Sequence, residues 1–478
     1  MNARSPLSIL AASRPFALAL SVLLSGCASF SPDSGMGLVA DVSGQTLKKD
    51  VAFVRTADDA AQVDRRVHRL LQRQLDVEAA VQVALLNNKG LQAAYNELAL
   101  AEADAIQDSL PPNPAFSIFS IAGGGAYETE RQVVGDILAL ATLPFRTEIA
   151  RERFKQAQLH AALVTLQLAA DVRRAYYQAV AASELTALLT DAQSTAEATA
   201  QLAKKLGETG SVNKLDQARE QVFYAETTAD LGAVRQEASS AREKLARLLG
   251  LWGSDLNFRL PDGLPGLPRR PPAQPFVEAD AVAHRIDLQI ARMELGALAK
   301  ALNLTEATRF VTMLQIAGID RKTKDPDTPP FRERGFDIQF QIPIFDGGEV
   351  RVRQASETYS AAFNRLTEKA INVRSEARDA YRIYRSAYDI AGQYQREVLP
   401  LRKIISEEMQ LRFSIMQVDI FALVAEARQR LASQRLAIAA KRNFWNAQSD
   451  LRTAINGGGA SAGAQTSGAG ARASGTGQ

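Results

Sequence analysis

The chain is 478 residues long, with a formal net charge of +3, three histidines and a single cysteine. That length exceeds one ordinary domain, the near-balanced charge offers no footing for a polyanion such as nucleic acid, and a lone cysteine excludes a disulfide within the chain. No apolar run beyond the first 27 residues approaches the roughly 20 that a membrane-spanning helix needs, so any later membrane contact falls to strands or to attached lipid.

The amino terminus carries Arg4 and Arg14, the apolar run from Phe16 to Leu24, and then Ser25-Gly26-Cys27. Basic residues, a short apolar core and a small-residue cleavage site predict a secretory signal over residues 1–26. The stretch resembles the bacterial lipoprotein signal, in which cleavage frees the cysteine for acylation. The resemblance implies lipid attachment, palmitate included, at Cys27. Ala28 and Ser29 stand where an aspartate would retain such a protein in the inner membrane, so it also implies the outer membrane. Each buried CH₂ of the acyl chains contributes about 0.8 kcal/mol of anchoring.

Residues 27–75 read as a non-helical lead-in from the anchor, with Pro32, Gly35, Gly37 and Gly44 as breakers. Helical patterning runs from Val77 to about Leu110 and stops at Pro111-Pro112-Asn113-Pro114. Ala115 to Ile121 predicts a strand, Gly123-Gly124-Gly125 a loop, and Val133 to Leu143 a second strand closed by Pro144. From Phe145 to Leu206 neither proline nor glycine occurs, which predicts a helix of roughly 90 Å. The chain turns at residues 207–213 and returns as a helix to about Leu249, where Leu215, Ala218, Val222, Ala225 and Ala229 have the spacing of a coiled-coil seam. Gly250 and the Pro/Gly-rich segment from Pro261 to Pro275 then break it.

The same order recurs, dividing the body into a first repeat over 76–275 and a second over 276–456, followed by a Gly/Ala/Ser tail over 457–478 expected to be disordered. Leu91-Gln92-Ala93-Ala94-Tyr95-Asn96-Glu97-Leu98 matches Leu288-Gln289-Ile290-Ala291-Arg292-Met293-Glu294-Leu295 at five of eight positions, and Arg173-Arg174-Ala175-Tyr176 recurs as Arg378-Asp379-Ala380-Tyr381. Phe310 to Ile319 predicts the third strand, Asp320 to Gly335 a loop, and Phe336 to Phe345 the fourth strand. In that last strand Phe336, Ile338, Phe340 and Ile342 fall on one face while Asp337, Gln339 and Gln341 fall on the other, and Pro343 ends the pairing. Such alternation suits a barrel wall with lipid outside and water inside. Seams continue in the second half, through Leu366, Ala370, Val373, Ala377, Tyr381, Tyr384 and Tyr388, and on the returning helix through Ile420, Val424, Ala427, Leu431 and Ile438.

Four strands per chain cannot close a barrel in lipid; three chains would supply twelve, within the range of outer-membrane barrels. The expected fold is therefore mixed: long α-helical hairpins forming an α-barrel, plus four strands per chain contributing to a trimeric, twelve-stranded transmembrane β-barrel. Aromatics near the strand ends, Phe116, Phe119, Phe310, Phe336 and Phe340, are candidates for the lipid-facing band.

From about Leu75 to Ile455 the chain resembles the TolC family of outer-membrane efflux channels. The resemblance rests on the duplicated layout, on Ile342-Pro343-Ile344-Phe345-Asp346-Gly347-Gly348, on the two Arg-x-x-Tyr motifs, and on Gly210-Ser211-Val212-Asn213-Lys214-Leu215-Asp216 at the first hairpin turn. The second turn, Met416-Gln417-Val418-Asp419-Ile420-Phe421, matches in part, with Asp419 where glycine is usual, and both turns resemble a divergent branch. The resemblance implies a homotrimeric channel passing small solutes, drugs or metal ions, from an inner-membrane pump and a periplasmic adaptor to the outside, with its helical tunnel in the periplasm. It implies adaptor-docking tips at Leu206, Gly210, Ser211 and Asn213 and at Phe413, Ser414 and Met416. It also implies an acidic gate, for which Asp216, Glu407, Glu408 and Asp419 are the candidates; each can equally be one more charge on a solvated helix face.

A non-conducting periplasmic adaptor or coiled-coil scaffold lipoprotein is the alternative, but an adaptor has one hairpin flanked by β-rich segments rather than two hairpins and two strand pairs. His68, His160 and His284 are scattered, and no P-loop or dinucleotide fingerprint is present. No catalytic residue, resident metal, cofactor or nucleic-acid partner is expected.

Overall fold

The structure, a computed structural model, describes residues 30–457. The expected signal, the acylation site Cys27 and the tail from residue 458 lie outside the described residues. The chain folds into two compact units, each drawing segments from both halves of the sequence.

One unit comprises residues 30–35, Glu97–Gln158 and Ala291–Leu366. It holds β1 (Ala115–Gly123), β2 (Ala126–Asp136), β3 (Met313–Lys324) and β4 (Phe331–Gln341) in one antiparallel sheet of order β1-β2-β3-β4. Gly124 and Gly125 join β1 to β2 with φ of +59° and +86°. Two successive left-handed residues are what a tight hairpin matching the strand twist requires.

Three features differ from the sequence reading: the second strand, which runs Ala126–Asp136 rather than from Val133, the long loop, and the faces of the aromatics. The stretch read as a strand to Leu143 turns helical at Ile137, because Asp136 caps the new helix by accepting from the Ala139 amide at 2.8 Å. The run Ile137-Leu138-Ala139-Leu140-Ala141 also lacks strand alternation, and Pro144 sits inside the helix. The long loop expected over 320–335 shrinks to residues 325–330, since Asp320–Lys324 and Phe331–Gly335 are paired strand. Its charges looked like a loop but bond across the ladder: Arg321 reaches Glu128 at 3.0 Å and Glu130 at 2.6 Å. Finally, register places Phe116, Phe336 and Phe340 on one face of the sheet and Phe119 on the other, while Phe310 precedes β3.

After β4 the chain turns a corner at Pro343–Gly348. The Gly347 amide donates to the Pro343 carbonyl at 2.8 Å, and Gly347 and Gly348 take φ of +55° and +74°. A Cβ on Gly348 would collide with the Arg309 backbone, so this position needs glycine for space as well as for conformation.

The second unit comprises Met36–Asn96, Leu159–Ile290 and residues 367–457. The lead-in read as irregular carries two helices, α1 (Met36–Thr46) and α2 (Ala57–Leu71). A capping box starts α2: the Asp59 amide donates to Thr56 Oγ1 at 3.1 Å, and the Thr56 amide donates back to the Asp59 carboxylate at 3.0 Å. The Thr56-x-x-Asp59 spacing was the legible sign of it.

The remaining helices are α3 (Val77–Asn87), α4 (Lys89–Ser109), α5 (Ile137–Glu208), α6 (Lys214–Leu249), α7 (Val277–His284), α8 (Ile286–Ala307), α9 (Glu349–Gln393), α10 (Leu399–Ser414) and α11 (Ile420–Asn456), with a π-helical turn at Tyr394–Val398 ahead of Pro400. Repetition is visible in local chemistry. Asn88 separates α3 from α4 and Arg285 separates α7 from α8, each extended, with ψ of 119° and 117°. The two Arg-x-x-Tyr motifs act alike: Arg173 reaches Glu78 in the first turn of α3, and Arg378 reaches Glu278 in the first turn of α7, each at 3.3 Å.

One core of the unit joins Val277 and Ala281 to Val373, Ala377, Tyr384 and Tyr388 and to Phe444, Ala447 and Leu451. The expected seam along Val373, Ala377, Tyr384 and Tyr388 is thus buried. On α6 the outcome is reversed. Leu215 and Val222 are 61% and 54% exposed, and the face buried within the chain is Glu220, Thr227, Leu231 and Val234.

Candidate functional site

The residues expected to dock and to gate lie in or beside the two hairpin turns of this second unit. In the first, α5 ends at Glu208, Gly210 turns the chain with φ of +74°, and Asn213 caps α6 by accepting from the Asp216 amide at 2.8 Å. The Asn213 side-chain amide donates back to Asp216 Oδ2 at 2.8 Å, and Arg219 pairs with Asp216 Oδ1 at 3.0 Å. Asp216 is therefore anchored from both sides. Leu206 is half-buried behind the turn, its carbonyl accepting from the Ser211 amide at 2.9 Å, while Ser211 and Asn213 are exposed.

The second turn is made without glycine. Met416 takes φ of +60° and is 94% exposed, with its amide donating to the Phe413 carbonyl at 3.0 Å. The Ser414 hydroxyl donates to the Leu411 carbonyl at 2.6 Å, and Asp419 caps α11 by accepting from the Ala422 amide at 2.7 Å. Asp419 is thus where a helix start needs a short acceptor, which explains an acid in place of the glycine usual in the resembled family. Glu407 pairs with Lys403 at 3.7 Å and Glu408 with Arg412 at 2.9 Å, both one helical turn apart on α10. All four acidic candidates therefore have partners within their own hairpin, and the two turns form separate clusters.

Sequence reasoning missed the contacts that tie the hairpins together behind the tips. Arg428 of α11 reaches Glu220 of α6 at 2.9 Å and lies over the Phe223 ring at 4.1 Å. Arg435 pairs with Asp230 at 2.7 Å, Lys441 with Glu184 at 3.5 Å, and Arg174 with Asp450 at 2.6 Å. Within the second hairpin Arg402 pairs with Glu426 at 3.1 Å. The only sequence signal was the seven-residue step from Arg428 to Arg435 on one face of α11; its partners lie some two hundred positions away. Among the described residues no cluster of His, Cys, Asp and Glu could hold a metal ion, and no helix is long and apolar enough to cross a membrane.

No known family's sequence model matches the chain, and no curated protein matches its sequence. Solved structures do. CusC, studied for its folding and transmembrane channel formation, is 18% identical over 80% of this chain and 92% of its own, with a TM-score of 0.66. The outer-membrane channel OprN is 18% identical over 87% of this chain and 96% of its own, with a TM-score of 0.65. The open state of the MtrE outer-membrane channel of Neisseria gonorrhoeae is 16% identical over 82% of this chain and 89% of its own, with a TM-score of 0.65. With two long helical hairpins and a four-stranded antiparallel sheet, this chain has the fold of these outer-membrane channel proteins.

Proposed function

We propose that the protein is the outer-membrane channel of a tripartite efflux system. Three copies pass small solutes, drugs or metal ions, from an inner-membrane pump and a periplasmic adaptor to the outside, each copy held by lipid on Cys27. The observation that carries the reading is the sheet. β1 and β4 are both edge strands, and an open edge in hydrocarbon leaves backbone donors and acceptors without partners at several kcal/mol each. Three copies joined edge to edge close a twelve-stranded barrel. The exposed apolar positions Leu215 and Val222 on α6 give a neighbouring copy a seam to pack on. The tips at Leu206, Gly210, Ser211 and Asn213 and at Phe413, Ser414 and Met416 face the adaptor, and carboxylates near them, Asp216, Glu407, Glu408 and Asp419, favour cations at the constriction.

Single-channel recording in planar bilayers, alongside the mass of the purified lipidated protein in detergent, tests the reading. A trimer with small, cation-selective conductance that rises in Asp216→Asn is expected. A folded monomer that never conducts would overturn it and favour the scaffold alternative.

A further inference from the structure

The two faces of the four-stranded sheet carry opposite charge. Register puts Phe116, Val133, Gly318 and Phe336 in one row across all four strands, with Ile316 and Ile338, then Leu314 and Phe340, in the rows nearer the helices. Toward the hairpin turns this apolar face becomes basic: Arg131, Asp320 and Arg334 share the next row, Lys322 and Arg332 the one after, and Lys324 the last. Five cations there meet one carboxylate. Asp320 is bonded to Arg332 and lies 3.8 Å from Arg334, so its charge is already committed. The opposite face carries Glu128, Glu130, Glu333, Asp337 and Asp136 against Arg321 alone. That acidic face is the more shielded one: Ala317 is buried and Gln132, Val134 and Asp337 are half-buried, whereas Phe116 and Phe336 opposite are about three-quarters exposed. Shielding of one face marks the inside of a curved sheet, so the apolar and basic rows line its outside.

We propose that these outer basic rows bind the phosphate groups of anionic lipid, in the leaflet on the side of the β1–β2 and β3–β4 turns. This rests on the channel reading above, in which the apolar face meets lipid. The first basic row lies two residues, about 6.6 Å, beyond the Phe116–Phe336 row, which is where headgroups begin above acyl chains. Guanidinium groups match phosphate oxygens in paired hydrogen bonds, and three of the five cations are arginines. A solvated surface for ordinary counterions would not need its charges so sorted: β1 has none and gives Ile118 to the first basic row, while on β2, β3 and β4 every cation but Arg321 lies on one face and every anion but Asp320 on the other.

The test uses the full chain reconstituted into phosphatidylcholine vesicles containing a trace of spin-labelled phosphatidic acid or spin-labelled phosphatidylcholine. The motionally restricted fraction of each label reports association with the protein surface. Wild type is expected to prefer phosphatidic acid by on the order of fivefold, since each basic residue near a membrane surface favours anionic lipid. The preference should fall to about half in the double variant Arg131→Gln/Arg334→Gln, which leaves Lys322, Arg332 and Lys324 in place, and stay unchanged in Arg321→Gln, whose side chain is on the acidic face. Millimolar inorganic phosphate should not abolish it, because a headgroup is held in place by its bilayer. A restricted component without preference, a preference undiminished in the double variant, or equal loss in Arg321→Gln would each overturn the lipid site while leaving the channel reading standing. No restricted component with either lipid would overturn both.

Discussion

The two ends of the helical hairpins in the second unit are held together by different chemistry. At the base, Phe444 stacks on Tyr384 at 5.6 Å and meets Tyr388 and Trp445 edge-on at 5.7 Å and 5.1 Å, while Trp445 stacks on Tyr177 of the other hairpin at 5.5 Å. Two of these rings bond to backbone: Tyr388 donates to the Pro268 carbonyl and Trp445 to the Pro265 carbonyl, each at 3.0 Å, which pins the Pro-rich link. Burial pushes the hydroxyls of Tyr95 and Tyr177 up to about 12, as a dry interior requires. Toward the tips the large buried rings give way to smaller side chains and to charge. The apolar contact there is made by Leu189, Leu231 and Val234 and by Ala196, Ala200, Ala203 and Val424, and among them lie Glu220 and Glu426, each under a tenth exposed and each held by an arginine.

Hydrocarbon contact has no substitute partner short of unfolding, whereas an ion pair can exchange one charge for water or another charge, and burying it contributes little net stability. The base is therefore a fixed frame and the tips are the part able to open, the low-stability end from which moving elements are drawn. Backbone hydrogen exchange should show it as faster opening in residues 199–228 and 402–428 than in 373–391 and 440–453.

Phe444→Ala is the substitution expected to have the largest effect. Truncating a fully buried phenylalanine costs about 3–5 kcal/mol, and its loss should lower the thermal midpoint and accelerate exchange throughout the base. If the tips lost protection as much as the base, the two ends would be one cooperative block and the contrast would fail.

Arg428→Ala should act only at the tips. Glu220 is nearly inaccessible and would be left without its cation, a loss of about 2 kcal/mol once discounted for an arginine that is itself about one-third solvated. The expected outcome is faster exchange near Glu220 and, on the channel proposal, a higher open probability in planar bilayers, with the base unchanged. Replacing both partners, Glu220→Leu with Arg428→Leu, should restore protection, since a packed apolar pair substitutes for a buried ion pair without loss. A double variant as loose as the single one would show that it is not burial of the pair that protects the tips.

Much of this was legible in the sequence because it is periodic. Alternation from Phe336 to Ile342 and the stop at Pro343 located the end of β4 within a residue or two, and the seam through Val373, Ala377, Tyr384 and Tyr388 is buried. Periodicity does not say which neighbour a face meets. On α6 the apolar stripe through Leu215 and Val222 was the visible one, yet the stripe buried within the chain starts with Glu220 and Thr227, because Arg428 makes a carboxylate acceptable there. The acidic candidates were equally half-legible. Lys403–Glu407 and Glu408–Arg412 can be read from their spacing of four, but the capping duty of Asp419 depends on where a helix begins, and the anchoring of Asp216 depends on the turn that Gly210 permits.

The smallest expected effect concerns the two turns. The first uses Gly210 at φ of +74°, with open space around it, and the second uses Met416 at φ of +60°. A left-handed conformation costs a non-glycine residue roughly 1–2 kcal/mol, of which glycine's greater freedom in the unfolded chain returns about 0.5–1. Met416→Gly should therefore stabilise its hairpin by about 0.5 kcal/mol, and Gly210→Ala should destabilise the first by a similar amount. The methionine is retained at a backbone cost while its side chain touches little of its own chain, being 94% exposed. A flexible thioether presented at a tip is suited to packing against another protein. On the docking proposal, Met416→Gly makes the tip more stable yet weakens efflux that depends on the adaptor, whereas Met416→Leu keeps the strain and most of the activity. Full efflux by the glycine variant, measured beside its slowed exchange at the turn, would show that the Met416 side chain has no part in docking and would confine any contact at this tip to Phe413 and Ser414.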